Sequence, residues 1–124
     1  MTVIIRDEGF VSEDYHAEWV TLASDTDPAT LSEFVNAPAI RVEFPSFADG
    51  RGFTLGRLLR TNGFQGRLRA TGHVIADQYA MARRSGFDEV EVSKDLAERQ
   101  PEAQWLARAD WRAHDYQTRL RQAR

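Results

Sequence analysis

The sequence predicts an α/β domain of about four β-α units on a mainly parallel sheet, built either as half of a (β/α)8 barrel or as an open three-layer sheet, with a small N-terminal hairpin or arm. Three observations predict it. Short apolar runs rich in β-branched residues recur at roughly 25-residue spacing. Each of the later ones is followed by a helix-like pattern with its own start and stop signals. No linker, repeat or low-complexity tract interrupts them, so residues 1–124 read as one domain. Strand and helix signals in alternation require right-handed crossovers and hence parallel pairing.

Taken in order, "VIIRDEGFVSEDY" opens with a β-branched run, turns at Asp7-Glu8-Gly9 and begins a second apolar run, the pattern of a hairpin. "EWVTLA" is the next strand; after the loop "SDTDP", Asp27 caps a helix with Pro28 at its first position. "AIRVEF" is a strand ended by Pro45. The stripe Leu55, Leu58 and Leu59 predicts a helix from about Thr54 to Asn62, stopped by Gly63. In "GRLRATG" the period of two turns Leu68 and Ala70 to one side and Arg67, Arg69 and Thr71 to the other. "VIADQYAMARR" is a helix closed by Gly86, and "FDEVEV" is a further strand. Ser93 caps "KDLAERQPEAQWLARA", in which Leu96, Trp105 and Leu106 face a core and Pro101 kinks or divides the helix. The tail docks through Trp111 and Tyr116.

The chain has no cysteine, which excludes disulfides, thiolate nucleophiles and Cys-ligated zinc or iron–sulfur sites. His16, His73 and His114 lack the spacing of a metal motif, so no metal site is predicted. No apolar run reaches the roughly 20 residues of a membrane helix. The N-terminus resembles neither a signal nor a transit peptide, and a cytoplasmic location is expected. The net charge of −3 hides an asymmetry: residues 1–38 carry eight acidic side chains against Arg6, and residues 51–84 carry seven arginines against Asp77. Either the acidic part folds against the basic one, or the basic part meets an anionic ligand or acidic partner. Nucleic acid is not expected, because the chain is acidic and has no nucleic-acid-binding signature.

Both candidate architectures bring ligands to the carboxyl ends of the strands, where "SFADGRGF", "TGH" and "SKD" would gather. The candidate site is Asp49, Gly50, Arg51, Gly52, Arg69, His73, Asp77 and Gln78. Gly50-Arg51-Gly52 before a helix offers exposed amides and a cation for a small anion, or else forms a tight turn at positive φ with Asp49 bonded to its own backbone. Gly50, Gly52 and Gly56 resemble a dinucleotide fingerprint, but no acidic residue ends the next strand to hold a ribose, and no cofactor is assigned. Arg69 enters the site, pairs with a carboxylate such as Asp49, or reaches solvent. His73 suits proton transfer, anion binding or plain helix entry, with Asp77 one turn on.

"FPSFADGRGFTLGRLLR", "GRLRATGHVIADQ" and "ARRSGFDEVEV", with "MTVIIRDEGF" before them and "DYQ" near the end, resemble a bacterial family of small proteins of unknown function. Its members are commonly encoded beside the haem-containing subunit of assimilatory sulfite or nitrite reductase and are often labelled oxidoreductases on that context. Asp49, Gly50, Arg51, Gly52, Arg57, Leu59, Arg60, Arg69, Gly72, Asp77, Gln78, Gly86, Phe87 and Asp88 match its pattern. Members often carry aspartate in place of His73 and cysteine in place of Ser85, which lowers His73 as a catalyst. The resemblance implies an accessory protein of sulfite reduction, acting through an arginine-rich site on the haem-containing reductase subunit or on an anionic intermediate. The alternatives are a small enzyme binding a sulfur oxyanion or phosphorylated substrate between "DGRG" and Arg69, and a purely structural domain. Open sheet edges also predict pairing into a homodimer, unless the N-terminal arm and the segment from Trp105 to Tyr116 cover them.

Overall fold

Alternation within each strand decides how the sheet faces. In the computed structural model, which describes residues 2–15 and 18–114, the strands are β1 (Thr2–Arg6), β2 (Gly9–Val11), β3 (Val20–Leu22), β4 (Ala39–Phe44), β5 (Arg67–Gly72) and β6 (Glu89–Ser93). They form one sheet in the order β2-β1-β6-β5-β4-β3. β3, β4, β5 and β6 pair in parallel, and β1 joins antiparallel to both β6 and β2. The four parallel strands and the N-terminal hairpin are as the sequence predicts. The hairpin is an integral part of the sheet, since Val3 and Ile5 stand beside Val92 and Val90.

The sheet is open, as one of the two expected architectures has it, and the half-barrel alternative falls; the helices, however, cover only one of its faces. Sequential parallel strands joined by right-handed crossovers keep their helices on one side. That side carries Ile5, Val42, Phe44, Leu68, Ala70, Val90 and Val92, all buried in the core. Over them lie a 3₁₀ helix (Pro28–Phe34), α1 (Arg51–Thr61), α2 (Tyr79–Arg84), α3 (Lys94–Arg99) and α4 (Glu102–Leu106). The Phe44 ring packs 4.9 Å from Phe53 and 5.9 Å from Phe87, centroid to centroid, which binds β4 to α1.

The opposite face carries Arg6, Arg41, Arg67, Arg69, Glu89 and Glu91, and it is covered by the connection from β2 to β3. β2 and β3 are the two outermost strands. Five inter-strand gaps of about 4.8 Å put them roughly 24 Å apart, and the nine steps from Val11 to Val20 reach about 30 Å when extended. That length suffices to span the sheet, and Glu13, Asp14, Tyr15 and Trp19 of the connection lie against arginines of the polar face. We call this connection the strap. Its Glu13 accepts from Arg69 Nη1 at 2.5 Å and Nη2 at 2.8 Å, and its Asp14 accepts from Arg6 and Arg67, both at 2.7 Å. The Trp19 ring lies 4.3 Å from the Arg69 guanidinium carbon. The acidic N-terminal part of the chain thus folds against the basic middle.

Several boundaries differ from expectation for local reasons. α1 starts at Arg51, three residues before Thr54, because Asp49 Oδ1 accepts the Arg51 N–H at 3.2 Å and Gly50 is the N-cap. Asp27 caps as predicted, accepting from Ala29 N at 3.0 Å, but the helix it starts is 3₁₀. The helix predicted from Val74 becomes a 3₁₀ turn (Ala76–Gln78) followed by α2. Its first amides bond to side chains, Ile75 N to Gln78 Oε1 at 3.1 Å and Ala76 N to Gln100 Oε1 at 2.6 Å. Pro101 divides the last helix, and the break turns Trp105 into the core while leaving Leu106 42% exposed, against the expectation for Leu106. Trp111 docks on the hairpin turn, its Nε1 donating to Asp7 Oδ2 at 3.3 Å, whereas Tyr116 and His16 lie outside the described residues. No described helix is long and apolar enough to cross a membrane.

Ser85, at the end of α2, is 2% exposed, and its hydroxyl has no hydrogen-bond partner among the described residues. A buried hydroxyl without a partner costs free energy relative to an apolar group of similar size. Ser85→Ala is therefore expected to raise stability by about 1 kcal/mol, read as a higher denaturant midpoint at unchanged slope.

Candidate functional site

The carboxyl ends of β3, β4 and β5 enclose a crevice of about 460 Å³ lined by Ala23, Ser24, Asp25, Glu43, Phe44, Pro45, Arg51, Thr71 and Gly72. A second hollow of about 310 Å³ adjoins it, sharing Ser24, Asp25 and Arg51 and adding Thr26, Pro28, Thr54 and Leu55. Arg51 stands between the two. Its Nε and Nη2 donate to Asp49 Oδ1 and Oδ2 at 2.9 and 2.7 Å, and Nη2 also reaches the buried Ser24 hydroxyl at 3.2 Å. This two-pronged pairing, joined by the Arg51 amide and the Ser24 hydroxyl, holds the Asp49 carboxyl well below the usual carboxylate range.

The loop leading to the pair is fixed by its own polar groups. Ser46 Oγ accepts from Ala48 N at 3.1 Å and Ser46 O from Asp49 N at 2.9 Å. Gln78 Nε2 donates to Phe47 O at 2.7 Å. The Phe47 side chain nevertheless stands 60% exposed. Downstream, His73 N donates to Phe44 O at 2.8 Å, and Gly72 takes φ of +116° where a Cβ would meet the same carbonyl at 2.5 Å. The "TGH" turn is built on that close approach.

The structure brings together Asp49, Gly50, Arg51 and Gly52, with Gln78 joined to them through Phe47. It does not bring Arg69 or Asp77. Arg69 is fully buried on the polar face beneath the strap, where its guanidinium pairs with Glu89 and Glu13 and meets Glu91 at 3.2 Å. Burial opposes that charge, but hydrogen bonds to Glu13 and the field of Glu89 outweigh it and push the Arg69 pKa above its ordinary value. The expected pairing with Asp49 is replaced by these three glutamates. Asp77 is exposed and accepts from Arg108 at 2.8 Å instead of stacking on His73. His73 is exposed beyond the end of β5. Gly50 has φ of −82° and Gly52 lies within α1, so neither serves a positive-φ turn.

Sequence reasoning missed Ser24, Asp25 and Glu43 on the crevice wall, and Phe47 as an exposed side chain. Only Phe47 had a usable signal, an aromatic in a polar loop ahead of "DGRG". Glu43 was hidden in a strand, and Ser24 and Asp25 in an unremarkable loop.

Arg51→Ala is expected to return the Asp49 carboxyl toward its ordinary titration range, read by carbon-detected NMR. The sign follows from linkage. A carboxyl whose pKa is depressed on folding contributes stability above its unfolded value of 3.8, lost as pH falls through the folded value. Because Arg51 is 61% exposed at its side chain, the neutral-pH unfolding midpoint is expected to stay where it is.

Residues 19–124 match a family described as "Bacterial protein of unknown function (DUF934)", and the chain belongs to that family. No curated protein and no solved structure gives a match.

Proposed function

We propose that this family member is a non-catalytic accessory protein of assimilatory sulfite reduction, docking on the haem-containing reductase subunit through the Ser46–Arg51 loop at the strand carboxyl ends. The observation that carries the docking part is Phe47, a large aromatic held 60% exposed on a loop whose backbone is tied down by Ser46, Asp49 and Gln78. An aromatic on a fixed loop loses little freedom on binding, which is what an interface anchor requires. The resemblance to proteins encoded beside the reductase supports the choice of partner.

The enzyme alternative has less support. Arg69 is unavailable to a ligand held by Gly50–Gly52, and Arg51 already engages both oxygens of Asp49. Mixing the purified chain with the purified reductase subunit tests the proposal. Association is expected, and Phe47→Ala is expected to weaken it about thirtyfold without moving the thermal midpoint. Absence of association, together with normal sulfide formation in a strain lacking this chain, would overturn it.

A further inference from the structure

The crevice beside Phe47 has a charge opposite to that of an anion cradle. Asp25 and Glu43 are its exposed acidic lining residues, and among the described residues neither makes a salt bridge. Its one cation, Arg51, is neutralised by Asp49. The lining is therefore net acidic, with Asp25 in the field of Arg51 and Glu43 farther along the wall. Of the neighbouring arginines, Arg41 turns its Nε to Thr21 Oγ1 at 2.8 Å and sits 5.9 Å from the Trp19 ring, and Arg69 is engaged by glutamates beneath the strap. The exposed apolar residues of the lining are Ala23 and Pro45. An apolar wall with carboxylates beside it suits a side chain that is hydrocarbon along its stem and cationic at its head. A volume of about 460 Å³ is ample for one such side chain.

We infer that the crevice receives an arginine or lysine side chain presented by the docking partner, its stem along Ala23 and Pro45 and its cation between Asp25 and Glu43. This rests on the docking reading above and adds the chemistry of the partner's contact segment, basic and adjacent to an apolar surface for Phe47. An anionic segment would instead meet a net acidic lining, and rejecting it contributes to specificity.

The test uses labelled full-length protein and amide NMR, with N-acetyl-arginine methylamide and, separately, inorganic sulfate as probes. The arginine probe is expected to move the Ser24, Asp25, Glu43 and Thr71 amides in a saturable way, and sulfate to leave them in place. The Asp25→Asn/Glu43→Gln variant, which keeps shape and removes charge, is expected to weaken probe binding at least fivefold. Movement of these amides by sulfate alone, or equal probe binding by the variant, would overturn the inference. The same variant separates this inference from the docking reading. If it binds the reductase subunit as tightly as wild type while Phe47→Ala does not, docking stands and the basic side chain is refuted. If the wild type fails to bind the subunit at all, docking fails, and the probe titration still decides the charge preference of the crevice.

Discussion

Arg69→Ala is expected to destabilise the protein by about 3–5 kcal/mol, the cost of breaking a buried ion pair by removing one partner. Arg69 and Glu89 are each 1% exposed at the side chain and are paired with each other. Without the guanidinium, Glu89 keeps only Arg6 at 3.0 Å and Arg67 at 2.7 Å, both on one oxygen, Oε1. Its Oε2 is then buried without a donor among the described residues. The strap loses as well, because both Glu13 oxygens accept from Arg69. A domain of this size has about 5–15 kcal/mol of total stability, so the variant should lie close to its unfolding transition at 37 °C. Urea titration measures the loss. Arg69→Met combined with Glu89→Met should cost less than the sum of the two single changes, since neither charge is then left alone. An additive result would mean that the pair is not the source of the loss.

Gly52→Val is expected to cost about 2–3 kcal/mol through overpacking, whereas Gly50→Ala should be close to neutral. A Cβ on Gly52 would come within 2.4 Å of Phe44 Cζ, and the Phe44 ring has no free direction, being pressed between Phe53 and Phe87. A Cβ on Gly50 meets nothing within 4 Å. Two glycines two positions apart therefore differ because one faces the core and the other faces solvent. Thermal midpoints of the two variants check this directly; equal midpoints would show that α1 can move away from β4.

The strand cores were legible wherever alternation was strong. "AIRVEF" is β4 from first residue to last, and the assignment of Leu68 and Ala70 to one face and Arg67, Arg69 and Thr71 to the other holds in β5. Caps with a local chemical signature, Asp27 and Ser93, were legible for the same reason: the donor lies two or three residues away. What lay beyond the sequence depends on strand order. Once β2 and β3 are known to be opposite edges, the strap must cross the polar face, and Glu13 becomes the partner of Arg69. No local pattern encodes that order, so Asp49 looked the better partner. The crevice was half legible. The turn chemistry of Asp49 and Gly50 pointed to the strand ends, but its electrostatic sign depends on Asp25, in the loop after β3, and Glu43, in β4.

The pairing of β1 with β6 joins residues 2–5 to residues 90–93. On the ribosome, β1 is made first and must wait for β6, an interval of roughly 4–17 s at ordinary elongation rates. Until then Val3, Ile4 and Ile5 have no sheet to enter, and the strap has only one of its two anchoring edges in place. The nascent chain therefore carries an exposed β-branched segment through most of its synthesis, a target for holding chaperones and for premature pairing with a neighbouring copy. The acidic residues that follow it, Asp7, Glu8, Glu13 and Asp14, oppose such pairing by charge during that wait; in the finished fold Glu13 and Asp14 are counter-charges to arginines of the sheet, and Asp7 pairs with Arg83 of α2.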